Sequence, residues 1–550
     1  MRPRTLLAAA VLAAGAGIAL VPQQATANGC VHANFAGGVG SANDPFRVST
    51  PAQLQAAAAG SCVSYSFVLT NDIDLTGRGE FTPIGDLFFP FIGTWDGRGH
   101  SITGLSISSP AREGYGLFGT TIGATIRNMT VRGSVSGGFP YAGIVVGLAN
   151  DTTISGVHAS GTVSSVGPSG GIAAYLEGSG SSVTDSSVDA SVTANGGASA
   201  GGIAGEAGES VSLTRVQVKG PVEAPYASAG GVVGMATGAA ISLATTTSNL
   251  NGNVAGGVIG TALPGTATAT SVTDSSATGR VVGGAGMLGS LGGIIGNACA
   301  GNPSIVRTFF AGELLAVPGS SPTTGGILGG TNPCVVAVAP TGTVTGNLWN
   351  TDTAGAAGAG TGVGAGKTTI QLKQIGTYTE QGWSIVNGWE AAGSSTWGIC
   401  PEVNNGYPYL QWTGADRACV TPTTPAALTA TVLPSRTRMT SGQRLRIGIR
   451  VKNGGGTTSA SVTSCLRLPA RMVVVRAPGA TRSGRTACFS AGSLAAGATT
   501  TKTLTARAVS TRRVTVAIGG TAQGTGATTV AAAPKGVIVT PRRARARVTG

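Results

Sequence analysis

The sequence predicts an all-β protein, a parallel β-helix (solenoid) followed by a small β-sandwich. Three observations predict it. Short apolar steps bracketed by glycine recur through residues 116–330, opening at Gly116, Gly143, Gly171, Gly202, Gly231, Gly257, Gly293 and Gly326. Their intervals of 27, 28, 31, 29, 26, 36 and 33 residues are the self-similarity of stacked units that touch only their neighbours. Between the steps lie segments such as 126–131 and 183–188, where apolar residues alternate with Ser, Thr, Asp and Arg; one face turns inward and the other meets water. Finally, 91 glycines and 5% aromatic residues argue against a conventional core of large side chains, and no Gly-X-Y period supports collagen.

Taken in order, residues 1–27 carry Arg2 and Arg4, an apolar run over 6–21, and Ala25-Thr26-Ala27. That order is the pattern of a cleavable export signal, with Asn28 the expected first residue of the mature chain. No second apolar run of about 18 residues follows, so no transmembrane anchor is expected. The eight cysteines fall into sequence-local pairs: Cys30 with Cys62, Cys299 with Cys334, Cys400 with Cys419, and Cys465 with Cys488. An even number in an exported chain, with no Cys-x-x-Cys, favours disulfides over a metal centre, while spacing leaves the connectivity open.

Residues 28–115 read as opening coils of the solenoid. Thr50 before Pro51 is a suitable start for one short helix, and Asp96-Gly97 suggests a hairpin-like turn before an alternating strand. Residues 116–355 form the repeats, whose glycines mark corners or places of close backbone approach, where a side chain would clash or a positive φ is required. Eight coils spaced about 4.8 Å apart make a rod section of roughly 35–40 Å. Five of the six tryptophans lie between 349 and 412, so residues 356–420 are expected to cover the exposed end of the solenoid core.

The segments "PFRVSTPAQL", "LTNDIDLTG", "FTPIGD", "FIGTWDGRGHSITGL", "GLFG" and the later Gly-Gly-[Ile/Val]-x-Gly steps resemble, in order over about residues 43–413, the GLUG-repeat family of bacterial secreted and surface proteins. The resemblance implies a β-helical stalk or platform. It supplies no agreed catalytic motif.

Residues 421–427 form a Thr/Pro linker. Alternating strands between 428 and 530 suit a small sandwich and resemble immunoglobulin-like surface repeats, and 531–550 reads as a basic tail. The charge divides at the linker: residues 28–420 hold 13 basic and 21 acidic side chains, residues 421–550 hold 20 basic and no acidic ones. Such a module is expected to bind polyanions in a salt-dependent way. The candidates are Arg444, Arg446, Arg450 and Lys452 in one strand and Arg542, Arg543, Arg545 and Arg547 in the tail. The expected partners are cell-wall polyanions or glycans and host or neighbouring-cell carbohydrate; export argues against a physiological nucleic-acid partner.

β-Helices also invite an enzymatic reading. Asp72, Asp74, Asp96 and His100 are close enough in sequence for an acid/base or calcium cluster, set against the plainer reading of turn and rim residues. Asp185 and Asp274 occupy matching repeat positions and suggest an acidic stripe for calcium. Three histidines, His32, His100 and His158, do not spell a His-Glu-x-x-His helix. The expectation is therefore a non-enzymatic, exported bacterial cell-surface or matrix protein in adhesion or glycan and envelope interaction, with no resident cofactor. The alternative is a β-helix polysaccharide lyase or glycoside hydrolase working through rim carboxylates.

Overall fold

A computed structural model describes residues 30–542 except 109–113, 139–140, 284–288, 300–302, 332–341, 356–362, 389–394, 415–425, 456–458, 496 and 526. The export signal, Cys334, Cys419, Arg543, Arg545 and Arg547 lie outside the described residues. The chain divides into two compact units between Arg417 and Ala418. No helix among the described residues is long and apolar enough to cross a membrane.

The first unit is a parallel β-solenoid. Its regularity is visible as columns of side chains. Ile126, Ile154, Val183, Leu213, Ile241, Val272 and Ile305 are successive register partners, all buried in one continuous core. Each such side chain contributes about 1.5–3 kcal/mol by leaving water, but only when the coil above and the coil below are present. The glycine-bracketed steps lead into an eight-stranded parallel sheet running from Phe118–Ile122 to Leu328–Gly330.

The reason for glycine at these steps is close approach. A Cβ at Gly116 would lie 2.6 Å from the carbonyl oxygen of Gly143, and one at Gly234 would lie 2.6 Å from that of Gly205. Neither has a positive φ. A second ladder does use the left-handed region: Asn128, Gly156, Asp185, Arg215, Leu243, Asp274, Arg307 and Gly346 have φ between 46° and 69°. They occupy the same corner of eight successive coils, splitting each long outer strand such as Thr125–Gly137 into two flat halves. Only glycine, asparagine and aspartate adopt this conformation readily, so Arg215, Leu243 and Arg307 are held there against a cost of about 1–3 kcal/mol each.

The opening coils depart from expectation at Asp96-Gly97. No hairpin forms, because Thr94–Asp96 and Ser101–Ile107 each join the parallel stack through the Thr125–Gly137 strand. The Asp96 carboxylate instead accepts the N–H of Arg98 at 2.9 Å and makes a coil corner. Thr50 caps the helix Pro51–Ala56, its side chain accepting the Gln53 N–H. The solenoid's first end is filled by aromatic rings: Phe46 lies 4.6 Å from Phe35 and 5.7 Å from Phe67, which stacks on Trp95 at 5.2 Å. A disulfide between Cys30 and Cys62 ties this end together. Cys299 and Cys400 are also disulfide-bonded.

The aromatic segment near residue 400 does not lie across the far end as expected. The end of the core is closed by Trp349 and Ala354, with Val363 packed against it. Phe309, Tyr378, Trp383 and Trp397 form a separate core on the solenoid's flank, with Leu243 packed against it. The physical reason is polar as much as apolar. The indole N–H groups of Trp412, Trp397 and Trp383 donate to the Leu243 carbonyl (3.0 Å), the Asp274 carboxylate (3.3 Å) and the Gly346 carbonyl (2.8 Å). All three acceptors belong to the left-handed corner ladder, whose bent backbone turns polar groups outward.

The second unit is a sandwich of a four-stranded and a six-stranded sheet around one core that includes Val432, Leu445 and Ile447 from the first and Leu466, Val516 and Ile518 from the second. Cys465 and Cys488, register partners on adjacent strands, form a disulfide. The expected boundary at 530 shifts. The last strand is Ala527–Thr540, with Val537 and Val539 fully buried, so residues 531–540 belong to the sandwich because their alternating apolar side chains complete its core.

Candidate binding surfaces

The sequence-derived carboxylates are engaged in building corners. Asp72 accepts the Ser101 N–H at 2.7 Å and lies 3.4 Å from His100 Nδ1. Asp74 accepts the Thr76 N–H at 2.9 Å. Asp96 holds Arg127 Nε at 3.0 Å and the Asn128 amide at 3.2 Å. The Ser101 backbone and hydroxyl hold the Asp72 carboxyl below the usual range, and Thr76 does the same for Asp74. At Asp96, burial pushes the carboxyl up, but the Arg98 N–H, Asn128 and Arg127 outweigh it and the net direction is down. Glycosidic cleavage needs one carboxyl kept protonated, and three acids held ionised supply none.

Asp185 and Asp274 do occupy matching places, both on the left-handed ladder, but they do not share an acidic stripe. Arg215 and Leu243 stand between them on the intervening coils, and each aspartate is held by the arginine of the next coil. Arg215 Nη2 reaches Asp185 at 2.7 Å, and Arg307 binds Asp274 through Nε at 2.7 Å and Nη2 at 2.6 Å. The pairing follows from chain stacking, which places corner residues of consecutive coils side by side.

A concave site that no sequence motif marks lies on the outer face of the eight-stranded sheet. A cavity of about 330 Å³ is lined by Tyr175, Glu177, Glu206, Glu209 and Met235. Tyr175, Glu206 and Met235 are register partners on three adjacent strands, and Tyr141 comes within 6.0 Å of the Tyr175 ring. Glu177 accepts the Asn150 amide at 3.1 Å. Glu209 anchors the neighbouring loop, accepting the Thr266 hydroxyl at 2.7 Å and the Ala267 N–H at 2.6 Å; these bonds, the Ala267 N–H foremost, hold its carboxyl down at about 2. The signal available in the sequence was position, since Glu206 immediately follows a glycine step.

On the sandwich, Arg444, Arg446, Arg450 and Lys452 are exposed on the strand Arg444–Asn453, alternating with buried Leu445, Ile447, Ile449 and Val451. The strand's period of two brings these four charges to one face. Arg542 is exposed just beyond the last strand.

No family model matches the chain. It is 33% identical over 154 residues to halomucin of Haloquadratum walsbyi, a match covering 26% of this chain and 2% of that protein. Over 106 residues it is 37% identical to a protein of Evansella cellulosilytica named as a Gly-rich membrane protein, covering 18% of this chain and 12% of the other. The chain thus matches only a small fraction of each relative's length. Among solved structures, an IgA1 protease aligns with 63% of this chain and 25% of its own, at 15% identity and a TM-score of 0.37.

Proposed function

We propose that this chain is an exported bacterial cell-surface or matrix protein, in which the solenoid is a rigid binding and display platform and the basic sandwich attaches it to envelope polyanions. The observation that carries the reading is the partition of charge between two compact units: every one of the 21 carboxylate side chains precedes residue 421, and 20 basic side chains follow it. Such a field drives long-range, salt-sensitive attraction to anionic polymers. Disulfides at Cys30–Cys62 and Cys465–Cys488 suit an oxidising compartment. The segments that resemble GLUG repeats, and the partial matches to halomucin and to a protein named as a Gly-rich membrane protein, support a place at the cell envelope. The test is sedimentation with isolated cell walls. The full chain should pellet at low salt and be released as ionic strength rises, and a chain ending at residue 420 should stay in solution. A full chain that remains in the supernatant at low salt would sink the reading.

A second reading rests on the cavity at Tyr175. An aromatic ring beside Glu177 and Glu206 suits a sugar ring, and two carboxylates are the equipment of glycoside cleavage. A screen of neutral and acidic polysaccharides separates binding from turnover; product formation lost in a Glu177→Gln, Glu206→Gln variant would make the protein an enzyme.

A further inference from the structure

We infer that the exposed face of the four-stranded sheet is a linear track for a base-free phosphodiester polymer of the polyol-phosphate kind, lying along the strand Arg444–Asn453. The inference rests on the envelope-binding reading above and names both the surface and the class of polymer.

The track is defined by register. Lys452 and Arg450 stand directly opposite Thr499 and Thr501 on one flanking strand, Arg446 opposite Thr505, and Arg444 opposite Arg507. On the other flank Lys452 and Arg450 face Thr429 and Thr431. Directly opposed residues share a face of an antiparallel pair, so these cations lie in a row bordered by hydroxyls. Arg446 Nη2 already lies 3.5 Å from the Thr503 hydroxyl. Arg444 and Arg446, and likewise Arg450 and Lys452, are about 6.8 Å apart, the two pairs are separated by about 14 Å across Gly448, and the row is about 27 Å long, at two, four and eight residues of strand rise. Gly448 sits mid-row, where even a Cβ would meet only Thr501 and Leu433 at 3.5 and 3.6 Å. The row therefore dips at its centre. No carboxylate occurs after residue 420 to neutralise it.

The class of polymer follows from what the face offers. Guanidinium groups bind phosphate through paired N–H donors. The tetrahedral oxygens of a phosphodiester present lone pairs in several directions, so they can accept from the central arginines and the flanking threonines together. A carboxylate has two oxygens with their lone pairs in one plane, so fewer of these donors can reach it at once. Binding of single-stranded nucleic acid draws on aromatic platforms for the bases, and the only aromatic residue after 420 is Phe489, buried in the sandwich core. What this face can grip is backbone, and a flexible phosphodiester chain without bases offers it nothing else to accommodate.

The test uses the full chain and four probes: a glycerol-phosphate polymer, polyglutamate, oligo-dT and duplex DNA, titrated over a range of salt. The glycerol-phosphate polymer should bind most tightly. Replacing Arg444, Arg446, Arg450 and Lys452 by Gln should weaken it by about 100-fold or more at low salt and reduce the slope of log K against log salt by about 2.8, four contacts at roughly 0.7 each. A matched variant with Gln at Arg438, Arg467 and Lys535, exposed on the other sheet, and at Arg485, exposed in a turn joining two of its strands, removes the same charge and should keep most of the affinity; melting curves check that both variants fold. Equal losses in the two variants would overturn the track, as would oligo-dT, duplex DNA or polyglutamate binding as tightly as the glycerol-phosphate polymer. If the track variant still pellets with walls while the chain ending at 420 does not, the track fails and the envelope reading stands. If neither change affects pelleting, both fail.

Discussion

A single side chain in this solenoid is valued by the coil next to it. Asp185 and Asp274 occupy the same corner position, yet the Asp274 carboxylate is 13% exposed and holds both Arg307 and the Trp397 indole, while Asp185 is 50% exposed and holds Arg215 alone. Replacing Asp274 by Ala leaves a half-buried guanidinium and an indole N–H without their acceptor, at a cost of about 2–4 kcal/mol. The same change at Asp185 is expected to cost under about 1 kcal/mol. Urea unfolding of the two variants measures the difference, and equal midpoints would contradict it. Glu209 gives a pH dependence with a definite sign. Its folded pKa of about 2 lies below the ordinary glutamate value of 4.5, so its contribution is complete above the unfolded pKa and is lost as pH falls through the folded one. Hydrogen exchange at Ala267 and Thr268 should therefore quicken between about pH 4.5 and pH 2 relative to the intrinsic rate. In Glu209→Gln it should already be fast at pH 7. None of these partners was readable from the sequence, because Asp274 and Trp397 are 123 residues apart and only the fold brings them together.

Each coil is an element that cannot stand alone, and its most exacting positions are the glycine steps. A Gly234→Ala substitution pushes a methyl group against the Gly205 carbonyl and the backbone of Ala200; the coils must part, at an expected cost of about 1–3 kcal/mol. Gly376→Ala, in the helix Ile375–Thr379 with nothing near its Cβ position, should be neutral or slightly stabilising. Thermal unfolding of the pair tests whether close stacking, rather than glycine content as such, governs the solenoid. The ladder was legible from its repeating Gly-apolar-Gly pattern. The corner ladder was not, since Asn, Gly, Asp, Arg and Leu share no chemistry and are united only by a backbone conformation. The flanking position of Trp383, Trp397 and Trp412 was equally hidden, because aromatic composition reports a wish to be buried and says nothing of which face accepts the indole N–H.

At the scale of the whole molecule, the protein is two compact units of opposite charge. The acidic one is long and repetitive; the basic one is small, with its own core and disulfide. The sequence by itself determined the all-β class, the repeat and its period, the inward columns of Ile, Val and Leu, and the charge boundary, because each is a local pattern or a sum that needs no partner. Only the tertiary structure decided that Asp72, Asp74 and Asp96 serve coil corners and that the cavity at Tyr175 assembles from three adjacent strands. It also decided that threonines flank the arginine row of the sandwich. Those facts depend on register between strands about 20 or more residues apart, and register is set by how neighbouring coils and sheets share a core, a long-range balance of packing that no single stretch of chain contains.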